Sequence, residues 1–182
     1  MNQTALVIIK SMGIGDLVIL KSNIDAISKS IKKKIVVLAQ KNTRAVEILK
    51  HDPHVSEVII LDKKGFLNIK KIKPYNFVQS YTYSDSLRLY LISKLSGIKK
   101  NFKYNFFSKK NKNFFKTAKE FTEKILNSKI DHESKIFWDN KEIENAKKKF
   151  KISNETKNIV CGISASGYTK RYPIANYIKL FE

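Results

Sequence analysis

The chain is poor in the residues that cross-link and punctuate a polypeptide. A single cysteine, Cys161, in 182 residues leaves no partner for an internal disulfide, which excludes a disulfide-stapled secreted scaffold and predicts a reducing compartment. Three prolines and six glycines are too few for a low-complexity or collagenous chain. No apolar run approaches the ~20 residues of a membrane-spanning helix. The opening Met-Asn-Gln-Thr lacks the basic start of a signal peptide. His51, His54 and His132 have no Cys or His at zinc-ligand spacing, so no metal site is expected, and Cys161 sits in an apolar stretch where packing is its expected role. Acid is scarce beside base: 16 Asp and Glu stand against 36 Lys and Arg, a formal charge of +20. Such a surface attracts polyanions, whether nucleic acid, anionic lipid headgroups or a phosphorylated glycolipid. Lys, Ile, Asn and Phe are abundant together along the chain, so compositional drift is the larger cause and an anionic partner its beneficiary.

What is present begins at Ala5. Ala5 to Ile9 is apolar throughout and rich in β-branching, the pattern of a strand buried on both faces. Gly13 and Gly15 then permit a tight turn, and Leu17, Leu20, Ile24, Ile27 and Ile31 recur at helical spacing,. Strand, glycine turn and helix open a doubly wound, mostly parallel α/β sheet of Rossmann-like type. Dinucleotide binding does not follow. Val18 occupies the third glycine position of the Gly-x-Gly-x-x-Gly pattern, Asp16 puts negative charge where a pyrophosphate would meet the helix, and the second strand ends in Gln40 with no carboxylate for a ribose,.

Ile35 to Ala39 reads as the second strand, Thr43 to Lys50 as a short helix with Ala45, Ile48 and Leu49 inward, and Val55 with Val58 to Leu61 as the third strand after a break at Asp52-Pro53-His54,. A helical turn over Phe66 to Ile72 precedes a fourth strand predicted at Tyr75 to Ser80. Ser84 is expected to cap a helix over Asp85 to Leu95 with Leu87, Leu91 and Leu95 as its apolar row, closing at Gly97,. Phe102 to Phe106 alternates as an edge strand does, and Phe114, Ala118, Phe121 and Ile125 mark an amphipathic helix,. Asp139 with Glu142 resembles a capping box for a helix whose buried stripe is Ile143, Ala146 and Phe150,. These elements fill a first domain, 1–150. A linker is expected over 151–157, and at 158–182 a strand and a helix opening at Pro173 begin a second domain.

The run Ile9-Lys10-Ser11-Met12-Gly13-Ile14-Gly15-Asp16-Leu17-Val18 resembles the opening of glycosyltransferase family 9, the lipopolysaccharide heptosyltransferases. The phrase Asp52-Pro53-His54-Val55 through Val58 and Asp62, and the later Ser164-Ala165-Ser166-Gly167-Tyr168-Thr169-Lys170-Arg171-Tyr172-Pro173, are similar to two further segments of that family, with Ser164 in place of a common Gly and Tyr172 in place of the usual Trp. The resemblance implies a GT-B-type fold of two Rossmann-like domains with the second truncated in this chain, and hence a partial enzyme with little activity alone. It implies an inverting transfer of a sugar, heptose by the family's pattern, from a nucleotide-diphosphate donor to a lipopolysaccharide core acceptor, with no metal or other cofactor. By the same resemblance Asp16 is the base; Lys10, Gly13, Gly15 and Arg88 meet the acceptor; and Ser166, Lys170 and Arg171 meet the donor diphosphate. The implied partners are the nucleotide sugar and an anionic glycolipid, in a cytoplasmic protein touching the inner membrane face. A competing reading is a basic α/β module without catalysis that binds nucleic acid through lysines and the Phe/Tyr segment from Phe102 to Phe115.

Overall fold

Five consecutive residues without exposed surface, Ala5–Ile9, form β1 at the centre of the structure. The computed structural model describes residues 5–9, 13–104, 113–131, 133–153, 155, 157–159 and 173–181. The chain divides into two compact units, Met1–Trp138 and Asp139–Glu182.

The first unit runs β1, α1 (Ile14–Ile31), β2 (Ile35–Ala39), a 3-10 turn at Lys41–Thr43, α2 (Ala45–Ile48), β3 (Val55–Ile60), α3 (Gly65–Ile72), β4 (Gln79–Tyr83), α4 (Leu87–Leu95), β5 (Lys100–Lys103) and α5 (Phe114–Leu126). Its five strands are all parallel in the order β3-β2-β1-β4-β5. Successive strands step outward from β1 to β3, then the chain returns to the other side of β1 for β4 and β5. That reversal between β1 and β4 is where an open α/β sheet leaves a crevice at the carboxyl ends of its strands.

Side-chain alternation divides the core. Ala5, Val7 and Ile9 point to the face covered by Leu17, Leu20, Ile24 and Ile27 of α1, by Ala45 and Leu49, and by Ala118 of α5 with Phe114, Phe121 and Ile125. Leu6 and Ile8 point to the opposite face, under Ile72 of α3 and Leu89 and Ile92 of α4. A central strand apolar at every position is the consequence of helices on both sides. The doubly wound parallel sheet expected from the sequence is therefore present, and β5 is an edge strand in which Phe102 stacks on Tyr81 at 5.1 Å.

Three expectations shift. The fourth strand begins at Gln79, because Lys73–Tyr75 forms a 3-10 turn closed by Asn76 in the left-handed region at φ 50°. Helix α4 is capped by Ser86, whose amide N–H is taken by the Ser84 hydroxyl at 3.1 Å, so the helix starts two residues later than the sequence predicts. Its inward residues are Leu89, Ile92 and Ser93, and the row Leu87, Leu91 and Leu95 is exposed.

In the second unit Asp139 caps α6 (Asn140–Phe150) by accepting from the Lys141 amide at 2.8 Å, as the sequence suggests. The stripe expected to be buried is not: Ile143, Ala146 and Phe150 are all exposed. Helix α7 (Ile174–Phe181) starts at Pro173, whose carbonyl accepts from the amides of Asn176 and Tyr177.

Candidate active site

The start of α1 and the start of α4 both lie at the carboxyl edge of the sheet, on opposite faces. β1 and β4 lie side by side with Ile9 opposite Tyr83, so the segments leaving them emerge as neighbours. α1 then covers one face of the sheet and α4 the other. This places Gly13, Gly15 and Asp16 on one side of the switch point and Arg88, in the first turn of α4, on the other.

Asp16 occupies the third helical position of α1, partly exposed, and its Oδ2 accepts the Gly13 amide N–H at 2.9 Å. That bond satisfies one of the free amides of the helix start, and the negative charge complements the helix dipole. Neither glycine is there to relieve crowding: a Cβ at Gly13 or at Gly15 would meet nothing within 4 Å, and Gly13 has an ordinary φ of −88°. Arg88 is exposed, and its Cδ lies 3.5 Å from the position a Cβ on Gly65 would take, so its aliphatic stem crosses the start of α3.

A buried polar relay ties β4 to the helices on the α1 face of the sheet. The hydroxyls of Tyr83 and Thr122 are 2.6 Å apart, and the Thr122 hydroxyl lies 2.7 Å from Asn23 Oδ1. The relay joins the last residue of β4 to α5 and α1. Burial pushes the Tyr83 hydroxyl well above its usual pKa, so it remains a neutral hydrogen-bonding group,.

Sequence reasoning passed over two features. Asp85, exposed in the loop after β4, adds a second carboxylate at the switch-point edge; its place follows only from where β4 ends. The other is a buried charge cluster. Lys21 has no exposed surface and pairs with Asp25 one turn on and with Asp52 at 2.8 Å, its ammonium 5.3 Å from the centre of the Phe137 ring. Desolvation raises the Asp25 carboxyl above its ordinary value against the pull of Lys21. The spacing of Lys21 and Asp25 beside the apolar row was the available signal. A cavity of about 470 Å³ lined by Asp25, Lys29, His54, Lys129, Asp131 and Phe137, among others, borders this cluster. It lies along the later turns of α1, away from Asp16. Lys10, Ser166, Lys170 and Arg171 lie outside the described residues.

A 3-2-1-4-5 parallel sheet with helices on both faces is a Rossmann-like fold, of the kind found in GT-B-like structures,. Two solved structures share that fold with the chain. One is a glycosyl transferase family 9 protein from Veillonella parvula, with a TM-score of 0.69 and 13% identity over 100% of this chain and 61% of that one. The other is the E. coli ADP-heptose lps heptosyltransferase II, with a TM-score of 0.72 and 16% identity over 98% of this chain and 60% of that one. The chain thus spans about 60% of the length of either, and at these identities the likeness is one of fold. No protein-family model matches the sequence, and no curated protein matches it. Among the described residues no helix is long and apolar enough to cross a membrane.

Proposed function

We propose that the chain carries the acceptor-binding side of a family 9-like glycosyltransferase, in which Asp16 is the base for the acceptor hydroxyl. The observation that carries the reading is the position of Asp16: a partly exposed carboxylate that accepts the Gly13 amide at the start of α1, the helix that follows the central strand at the switch point of the sheet. Sugar transfer from a nucleotide diphosphate needs a base on the attacking hydroxyl and positive charge on the departing diphosphate. Asp16 supplies the first, with Arg88 and Lys10 holding an anionic acceptor beside it. Ser166, Lys170 and Arg171, on the later signature, supply the second. The domain division at 1–150, 151–157 and 158–182 goes with this reading, the last stretch being the start of the donor-binding part.

Heptose is the sugar, by likeness to the E. coli ADP-heptose lps heptosyltransferase II, and a lipopolysaccharide core is the acceptor. Inversion at the sugar follows from a single displacement with one base, and independence from a metal belongs to the resemblance to family 9. The place of action is the cytoplasmic face of the inner membrane, where such an acceptor would be met.

The nucleic-acid reading is weakened by the aromatic segment. Phe102 is stacked on Tyr81, and Tyr104 is buried with its ring edge-on to Phe121 at 5.7 Å. Neither ring is free to stack on a base.

The test is transfer from a nucleotide-diphosphate heptose to a core-oligosaccharide acceptor, followed by product mass, in a polypeptide that joins these residues to a complete donor-binding domain. Asp16→Ala is expected to lower turnover at least about a thousandfold while leaving donor affinity nearly intact. Turnover retained in Asp16→Ala removes Asp16 from the mechanism.

A further inference from the structure

Helix α4 is apolar on two sides. Leu89 and Ile92 are spent on the core beneath it, yet Leu87, Leu91 and Leu95, spaced four apart along the opposite side, are 62%, 44% and 60% exposed. α3 lies beside α4 on the same face of the sheet and adds Phe66, 80% exposed, and Leu67. Single exposed leucines are ordinary, but a continuous helical row with a phenylalanine at its side is a contact surface.

The charge around it is of one sign. From Asp62 to Lys100 the chain carries nine Lys and Arg against two Asp. Lys64, Lys70, Arg88, Lys94 and Lys99 among them are exposed. An apolar row bordered by cations is what a helix lying in a membrane interface presents: apolar side chains enter the acyl boundary while lysines meet anionic headgroups. A protein partner would need acidic side chains to match the same border, whereas an anionic bilayer supplies apolar depth and negative charge together.

We infer that the outward side of α3 and α4 docks on an anionic lipid bilayer, with Leu87, Leu91, Leu95 and Phe66 inserted and the surrounding lysines on phosphate. Leu87 adjoins Arg88 at the switch point, so docking in this way lays the bilayer surface next to the mouth of the crevice. The inference deepens the transferase reading and rests on it only for the acceptor's whereabouts. Vesicle binding is read without sugar transfer, so its failure leaves the chemistry at Asp16 standing.

The experiment is co-sedimentation of the chain with vesicles of phosphatidylcholine alone and of phosphatidylcholine with phosphatidylglycerol. Binding is expected only to the anionic vesicles, weakening as salt is raised. Leu91→Ser combined with Leu95→Ser should reduce it about tenfold or more. Lys70→Glu with Lys94→Glu, which touches no packed apolar group, should do likewise, and Val46→Ser on the other face of the sheet should leave it unchanged. Circular dichroism checks that each variant is folded. Equal binding to neutral vesicles overturns the proposal, as does parental binding by both double variants. A lipid-free dimer that falls apart with Leu91→Ser and Leu95→Ser would overturn it in favour of a second copy covering the row.

Discussion

Two turns of helix α1 use charge in opposite ways. In the first, Asp16 is partly exposed and its carboxylate accepts the Gly13 amide. A few residues on, Lys21 has no exposed surface and is held by two carboxylates and an aromatic ring. The more perturbed environment belongs to the residue with no chemistry to perform. Burying an ion pair is costly and repays itself only where every partner is in place, so the Lys21 cluster ties α1 to the turn before β3. Asp16 is stabilised just enough to hold its direction. Depth of burial here marks architecture, and the accessible charge near the strand end is the one proposed for chemistry.

Lys21→Met gives the largest expected effect. It leaves Asp25 and Asp52 facing each other without a cation, and removing one partner of a buried pair costs about 3–5 kcal/mol. Urea denaturation at neutral pH should show the midpoint falling with the slope unchanged. Replacing Asp25 and Asp52 by Asn in the same chain should recover much of the loss. A Lys21→Met variant as stable as the parent would mean that the cluster contributes nothing and that the contrast between the two turns of α1 is empty.

Asp25 sharpens the comparison through pH. Burial, opposed by Lys21 and His54 and reinforced by Asp52, holds its carboxyl above the ordinary 3.8. Below 3.8 folded and unfolded chains both carry the proton, and the group has no effect. Between 3.8 and the raised folded value only the folded state binds it, so stability falls as pH rises through that window and then levels off,. Against Asp25→Asn, which cannot titrate, the parent should lose relative stability on going upward from pH 3.8. The opposite slope would mean that Lys21 dominates and the carboxyl is held low.

The parts of this fold legible in sequence are those whose burial is decided locally. β1 and β2 are apolar at every position, and the inward rows of α1 and α5 have one clear helical period. β4 is misplaced by sequence reasoning because its central residues, Ser80 and Thr82, are polar although buried, while the aromatic pair Tyr75 and Phe77 just before it imitates a strand. α4 has two apolar rows, and periodicity cannot choose between them; the sheet takes Leu89 and Ile92. The stripe of α6 has the right period but no cover among the described residues. At the candidate site, the place of Asp16 at the helix start is legible because its bond to Gly13 is set within four residues, whereas the neighbourhood of Arg88 depends on strand order. The Lys21 cluster is assembled by Asp52 and Phe137 arriving from elsewhere in the chain, which no local pattern announces.

The smallest expected effect distinguishes shape from chemistry at the first loop. Gly15 sits in the first turn of α1, and an added Cβ would meet nothing within 4 Å. Ala there reduces the freedom of the unfolded chain and favours helix, a gain of about 0.5–1 kcal/mol. If glycine serves the fold alone, Gly15→Ala should improve stability and leave transfer untouched. If the acceptor approaches the backbone closely, as the reading of Asp16 requires, the methyl group occupies the acceptor's space: the same variant should melt higher yet show a raised KM for acceptor with kcat less affected. Thermal unfolding together with acceptor titration, in the polypeptide that includes the donor-binding domain, separates the two. An unchanged KM in the stabilised variant would move the acceptor away from this loop and leave Asp16 as a helix cap.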